Sequence, residues 1–441
     1  MSLDYLFKEI IPNGFPRGSM ILLAGEPGTG KTTFASLIAH DEIRRGGRVL
    51  FVSLNEPRED FYKTVERFGW DFRTENFKFI DLFTVGKDAL PTQIKLIVEE
   101  VVKFKPSLII IDSITALTYA MDPGTVRSFL HASLGSVVKS SGITAILIAE
   151  KPMGREELGY GVEEFVVDGV IVLRYIKCDE HYRRVLEVVK MRRRKITKPQ
   201  YEYAITDRGL VFFEVPRLER VESVSREKIT TGIAKLDALM DGGIYRGSIT
   251  VIAGQTGTGK TTFGLHTAYS NASKGNKAVF VTFEESVGSV LRMMECYGME
   301  YDSVKENLKI VSIVPESESP VSIFVKLKDI VEREKPAVLI LDSYTALEEN
   351  MNSVELSKMM RYLQLFVKVN QIATILTMNV ESGNLPTTGL STLADNIILL
   401  TYDLKEDEVW RKILILKSRA SNHSRKIHRY DITSKGVVIH D

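Results

Sequence analysis

The chain is poor in cysteine: it has two among 441 residues, Cys178 and Cys296. They lie in different halves, far apart, and in no metal-ligand spacing. This excludes a disulfide framework and a cysteine-built metal centre, and it predicts two free thiols in a reducing cytosol, with Cys296 on an apolar helix face. An excess of one charge is also lacking. Lys and Arg number 58 against 57 Asp and Glu, for a net charge of +1. Nothing in that balance points to nucleic acid or an anionic membrane, although a local basic face stays open. Long apolar runs are missing as well. No stretch of about 18 apolar residues runs uninterrupted, so no membrane span is expected. The opening MSLDYLFKEIIPNGFPRG carries early acids and no long apolar run, unlike a secretory signal or transit peptide.

What is present is enough apolar side chain, 44%, for a sizeable core, and a long internal repeat. Lys31 and Lys260 are 229 positions apart, as are Glu56 in SLNEP and Glu285 in TFEES. Asp112 in IIIDSITAL and Asp342 in LILDSYTAL differ by 230; Lys190 and Lys417, and Ile205 and Ile432, each differ by 227. Five landmarks held in register imply a tandem duplication. The join falls in the charged, proline-containing stretch EVPRLERVESVSREKI, which predicts domains over 1–225 and 226–441. So short a linker predicts stacked copies.

Each copy alternates short apolar runs with longer amphipathic ones. MILLA, VLFVS, LIII, AILIA and VIVL in the first match ITVIA, AVFVTF, AVLIL, ATILTM and IILL in the second. Continuous runs of this kind fit strands buried on both faces, and the intervals suit helices, so each copy reads as an α/β domain with a mainly parallel sheet. VLEVVK, YEYAIT and VFFEV leave no room for helices between them and predict an antiparallel extension.

GEPGTGKTT and GQTGTGKTT each follow an apolar strand and open a helix. That is the context in which G-x-x-x-x-G-K-[ST] cradles phosphate. The candidate nucleotide-binding residues are Gly25, Gly28, Thr29, Gly30, Lys31, Thr32 and Thr33, with Gly254, Gly257, Thr258, Gly259, Lys260, Thr261 and Thr262. The glycines let successive N–H groups converge, and the helix N-terminus adds positive dipole. Lys31 and Lys260 are expected to reach the β- and γ-phosphates of ATP, and Thr32 and Thr261 to hold Mg²⁺. Asp112 and Asp342 end buried strands about 81 residues beyond each lysine, where a carboxylate orients metal-bound water. Taken alone, an Asp after an apolar run is equally a helix cap.

Hydrolysis also needs a group that orients or deprotonates water. The second copy offers Glu284 and Glu285; the first has Asn55 and Glu56. Asparagine positions water but takes no proton. The first copy is then the slower ATPase, or relies on Glu56. The alternative is that these are solvated surface acids.

Together with FVTFEE, YGVEEFVVD, LSTLADNIILL and TGIAKLDALMDGGIYRGSITVIAGQTGTGKTT, these residues resemble the KaiC family of RecA-like ATPases over essentially the whole chain. The resemblance implies tandem RecA-like P-loop domains in a double-layered homohexamer, with ATP and Mg²⁺ at subunit interfaces. It also implies that Lys190 and Arg192, and Lys417 and Arg419, reach the neighbouring subunit's γ-phosphate, with His423 following only the second pair. In clock-type members an adjacent Ser-Thr receives phosphate. The matching residues are Ser391 and Thr392, whereas the first copy carries Glu163 and Glu164 at that place, so an autokinase is implied for the second copy alone. Two departures stand out: Asn55 replaces a family glutamate, and the sequence ends at Asp441, without the tail through which a stimulatory partner grips the clock protein.

The leading expectation is a signalling ATPase read by an unidentified protein partner. The competing one is a DNA-acting motor related to recombinases or helicases, for which the basic run KMRRRKITK is the main argument. No aromatic residue interleaves with that run, which favours an interface role.

Overall fold

A computed structural model describes residues 2–82, 90–120, 123–151, 167–178, 181–196, 200–207, 209–212, 225–381, 390–404 and 408–440. The chain divides into two compact units, Met1–Glu214 and Val215–Asp441.

The first unit contains nine strands: β1 (Met20–Gly25), β2 (Val49–Ser53), β3 (Phe77–Asp81), β4 (Leu108–Asp112), β5 (Thr144–Glu150), β6 (Gly169–Cys178), β7 (His181–Met191), β8 (Gln200–Thr206) and β9 (Gly209–Phe212). They form one sheet in the order β3-β2-β4-β5-β1-β6-β7-β8-β9. Pairing is parallel from β3 to β6 and antiparallel from β6 to β9. β1 shows why its run is unbroken. Ile21 and Leu23 enter one apolar cluster, while Met20, Leu22 and Ala24 enter the cluster on the other face. A strand covered on both sides takes apolar residues at successive positions, with a polar one only where it finds a partner, as Thr250 of the second unit does with Asn396.

The second unit repeats the design after a short antiparallel ribbon of β10 (Lys228–Ile229) and β11 (Ile244–Tyr245). Its sheet contains β12 (Ile249–Gly254), β13 (Ala278–Thr282), β14 (Leu308–Ser312), β15 (Val338–Asp342), β16 (Ala373–Asn379), β17 (Asn396–Leu404), β18 (Val409–Ser418), β19 (His428–Thr433) and β20 (Gly436–Ile439), in the order β14-β13-β15-β16-β12-β17-β18-β19-β20. Both units are therefore mainly parallel α/β domains with an antiparallel extension, as their run patterns predict.

β3 and β14 escape a search for continuous apolar runs. Each is an edge strand with alternating burial, so its sequence (FKFID, LKIVS) mixes polar and apolar residues.

The antiparallel strands carry a matched irregularity. Val170 pairs with Lys190, but Ile171 pairs with Val188; likewise Ile397 pairs with Lys417, but Ile398 with Ile415. The extra residues, Val189 and Leu416, are exposed. A bulge of this kind re-aims the neighbouring side chain, here the lysine of each basic pair. Among the described residues no helix is long and apolar enough to cross a membrane.

Candidate nucleotide sites

Each glycine-rich loop joins a buried strand to a 14-residue helix, Lys31–Arg44 in the first unit and Lys260–Ser273 in the second. Gly30 and Gly259 precede the helices with φ of 91° and 93°. A Cβ there would lie 2.7 Å from Ile205 Cδ1 and 2.3 Å from Ile432 Cδ1, so glycine answers both the backbone and the space. Lys31 Nζ donates to the carbonyls of Gly25 and Glu26 at 3.0 Å, and Lys260 Nζ to that of Gln255 at 3.0 Å. Burial lowers the pKa of both lysines, against the pull of nearby carboxylates. An arriving phosphate would compensate that desolvation.

Thr32 Oγ1 donates to Asp112 Oδ2 at 2.6 Å, and Thr261 Oγ1 to Asp342 Oδ2 at 2.9 Å. The strand-end aspartates expected from sequence thus meet the loop hydroxyls in both units. Burial raises the pKa of both acids, and the hydroxyl bonds oppose that rise. One hydroxyl with one carboxylate is a hard-oxygen donor pair. It suits Mg²⁺, which keeps several waters and takes further oxygens from phosphate. No cluster of three or more His, Cys, Asp or Glu residues exists among the described residues to hold a metal by protein alone.

The acids after β2 and β13 separate. In the second unit a cavity of about 630 Å³ is bounded by the loop, Asp342 and Glu284. Ser343 donates to Glu284 Oε1. Both acids are exposed, but Glu284 bounds the cavity, while the backbone N–H of Glu285 is tied to Thr282 Oγ1 at 2.8 Å. In the first unit Asn55 Nδ2 donates to Ser113 Oγ at 2.9 Å, so the same serine position is used with reversed polarity. Glu56 is half-buried, and its pKa is raised by burial and by Asp112. Cys296 and Tyr297 also bound the second cavity; Cys296 ends the helix Val287–Cys296 and is exposed, not on the apolar face, formed by Val290 and Met294, that its sequence setting predicts.

The basic pairs lie elsewhere. Lys190 pairs with Val170 at the start of β6, whereas the loop residue Gly25 lies opposite Leu173. Three residues of strand put Lys190 about 10 Å from that level, at the opposite end of the parallel strands from its own loop. Lys417, opposite Ile397, relates in the same way to Gly254 opposite Leu400. Lys190 Nζ donates to Val167 O at 2.9 Å and Lys417 Nζ to Ala394 O at 2.7 Å. Arg192 and Arg419 reach Asp168 and Asp395 at 3.7 and 3.6 Å. Thr392 is exposed at this same end, and its carbonyl accepts from Arg419 at 3.1 Å. His423 lies half-buried between β18 and β19. The side chain of Ser391, and Glu163 and Glu164, lie outside the described residues.

The basic run breaks into separate tasks. Arg194 donates to the carbonyls of Gly14 and Asn13 at 2.9 and 3.1 Å, fastening the N-terminal segment to the sheet. Arg193 and Lys195 are the exposed remainder among the described residues of the run, along with Arg192.

Sequence reasoning missed a set of tyrosines that hold the loops. Tyr203 Oη donates to Thr29 O and Tyr430 Oη to Thr258 O, each at 2.6 Å. Tyr175 and Tyr402 reach Gly28 O and Thr256 O at 2.7 and 3.4 Å. Arg184 and Arg411 lie over the Tyr175 and Tyr402 rings, 5.3 and 5.9 Å from their centroids, and Arg411 also bounds the second cavity. Each pair is separated by 227 positions, so aligning the two copies residue by residue would have flagged them.

A glycine-rich loop at the end of the central strand, a strand-end aspartate beside it and an antiparallel extension define a RecA-like P-loop nucleotide-binding domain, here twice. The family described as "ATPase: KaiC" matches residues 3–217 and 229–441. The circadian clock protein KaiC3 of Synechocystis sp. is 32% identical over 98% of this chain and 90% of that protein. The circadian clock oscillator proteins KaiC of Synechococcus elongatus and Acaryochloris marina are 29% and 28% identical, over 99% and 98% of this chain and 88% and 87% of theirs. The chain belongs to the KaiC ATPase family. The DNA-acting alternative is not favoured.

Proposed function

We propose that the chain is the subunit of a cytoplasmic homohexameric ring that binds ATP with Mg²⁺ at two levels and hydrolyses it, each site being completed by the neighbouring subunit. In this reading Lys31 and Lys260 hold the β- and γ-phosphates, and Thr32 with Asp112 and Thr261 with Asp342 hold Mg²⁺. When bound, the ion neutralises charge on the phosphates. Glu284, fixed by Ser343, takes the proton of the attacking water in the second domain. The observation that carries the reading is the position of Lys190 and Lys417. Each lies at the far end of the sheet from its own phosphate loop, so a role at the γ-phosphate requires a second subunit.

The same end of the second domain presents Thr392 beside Arg419. This supports a second activity, transfer of the γ-phosphate from a neighbour's ATP to Thr392 or Ser391. The product would be a conformational signal for a protein partner. The test is intact-mass and light-scattering measurement in ATP and Mg²⁺, with phosphosite mapping. A six-subunit particle bearing phosphate at 391 or 392 is expected. A monomer under saturating ATP would overturn the ring, and an unmodified ring would remove the kinase alone.

A further inference from the structure

Two positions flank each phosphate loop, and the copies exchange residues between them. The first position follows β2 or β13 and holds Asn55 or Glu284. The second ends β5 or β16 and holds Glu150 or Asn379. Each site therefore has one glutamate and one asparagine, with their places reversed.

The second position is equivalent by geometry as well as by count. Glu150 lies directly across from Gly25, as Asn379 does from Gly254. The Glu150 backbone N–H donates to Thr115 Oγ1 at 2.8 Å, and that of Asn379 to Thr345 Oγ1 at 2.8 Å. Asn379 stands on the wall of the second cavity together with Glu284. The position at the end of β5 or β16 thus faces the space where the γ-phosphate would lie. Glu150 is exposed, and it ends the strand next to β1, whereas Asn55 follows β2, two strands farther along the sheet. The electrostatic setting follows the exchange. Burial lowers both loop lysines, but the carboxylates opposing it are led by Glu150 at Lys31, whereas at Lys260 they are Asp342 and Glu284.

Glu56 fits this task less well. Its backbone is looped onto Ser53, whose hydroxyl it both receives from and donates to, and its carboxylate bonds Thr64 on the adjoining helix Arg58–Glu66.

We propose that in the first domain Glu150 is the carboxylate that accepts the proton of the attacking water, and that Asn55 orients that water. The inference rests on the ATPase reading above. Water oxygen forms a bond to the γ-phosphorus as the bond to the β,γ-bridging oxygen breaks. The water proton passes to Glu150, the electron pair leaves on ADP, and the proton then moves to the released phosphate or to solvent. The two domains would run the same hydrolysis with the base on different strands, at the end of β5 in the first and after β13 in the second.

The test uses full-length K260A, which silences the second loop, and full-length E284Q, which leaves both loops able to bind ATP. Each is compared with and without E150Q, for turnover and for binding of a fluorescent ATP analogue. Both backgrounds are expected to hydrolyse ATP. E150Q should lower kcat on the order of a hundredfold, the span of a lost general base, with analogue affinity within about threefold, because only the transition state loses an interaction. The exchange N55E/E150N, which copies the second domain's arrangement, should recover most of the loss. If E150Q leaves kcat unchanged while E56Q abolishes it, Glu150 is not the base and the ATPase reading stands. If both backgrounds bind the analogue yet turn over nothing, the first domain is not an ATPase, and the inference falls with that part of the reading.

Discussion

Thr377 donates its hydroxyl proton to Oδ1 of Asp342, and the equivalent residue of the first domain is Ile148, two positions before Glu150 as Thr377 is before Asn379. Asp342 is therefore held at both oxygens, by Thr377 and Thr261, while among the described contacts Asp112 is held at Oδ2 by Thr32. A carboxylate buried in a strand end needs its lone pairs satisfied, and the two domains meet that need to different degrees.

Replacing Thr377 with Val keeps the volume and removes the donor. Leaving a buried carboxylate oxygen unpaired costs about 1–3 kcal/mol. The second domain should melt lower by several degrees, since 1 kcal/mol moves a domain of this size by about 2–4 °C. Nucleotide binding should also lose part of its dependence on Mg²⁺, because the carboxylate is then pinned at one oxygen only, Oδ2 by Thr261, and can turn away from the metal position. Scanning calorimetry and titration of a fluorescent nucleotide with and without Mg²⁺ read both effects. An unchanged Tm and Mg²⁺ dependence would show that Thr377 contributes nothing to the aspartate.

The loop-holding tyrosines make a second prediction. Tyr430→Phe removes one hydrogen bond to Thr258 O and leaves the ring packed against Phe263, 5.5 Å between centroids. A net loss of about 1 kcal/mol corresponds to about a fivefold weaker nucleotide affinity if the bond is needed only for the binding shape of the loop. Tyr203→Phe should behave alike in the first domain. Equilibrium binding to each domain, with the other loop lysine replaced by Ala, separates them. A fall in Tm with no change in affinity would make the tyrosines structural supports only.

How much of this was legible beforehand depended on whether a residue's task was local. The loops with Thr32 and Thr261 could be read locally, because strand, turn and helix lie consecutively in the chain. Asp112 and Asp342 lie 80 and 81 positions from those threonines and were legible only because both copies place an aspartate at the end of an apolar run at that spacing. The duplication made the reading firm. Glu150 and Thr377 could not be read that way. They come to the loop through sheet order, β5 and β16 lying beside β1 and β12, which no short motif encodes. Glu284 and Glu285 looked interchangeable in sequence, and only the turn after β13 separates one onto the cavity wall. The basic run 190–198 looked like one continuous basic feature, read as an interface in preference to a nucleic-acid groove. Lys190 bonding Val167, Arg192 facing Asp168 and Arg194 tied to Gly14 divide it into separate contacts.

His266 predicts a pH dependence confined to the second domain. Its Nε2 accepts the backbone N–H of Val437 at 3.1 Å, between the loop helix and β20. Burial lowers its pKa from the ordinary value of 6.5. A base with a lowered folded pKa binds its proton more readily when unfolded, so its stabilising share is complete above about pH 6.5 and is lost as pH falls toward the folded value. The Tm of the second domain should therefore fall between pH 7.5 and pH 5.5. His266→Leu, the residue found at position 37 of the first copy, should lower Tm at pH 7.5 and flatten that slope. A slope unchanged in the variant would assign the acid sensitivity to other groups.

The placement of the basic pairs leads to a mixing experiment. A chain with K417A and R419A keeps an intact second-domain loop but offers nothing to its neighbour. A chain with K260A has no working second-domain loop but carries an intact Lys417 and Arg419. If each site is built from two subunits, either chain alone should show second-domain turnover reduced by on the order of a thousandfold, the usual span for a cation supplied in trans to a transferring phosphate. The measurement is made with K31A in both chains, so that only second-domain hydrolysis is seen. Mixed rings should regain activity in proportion to interfaces that pair an intact loop with an intact finger, at most about a quarter of all interfaces in a random equal mixture by simple pairing statistics. Activity that never rises on mixing, with subunit exchange verified by mass, would mean that Lys417 and Arg419 act within their own chain. That outcome would contradict their position at the far end of the sheet from the loop they would then have to serve.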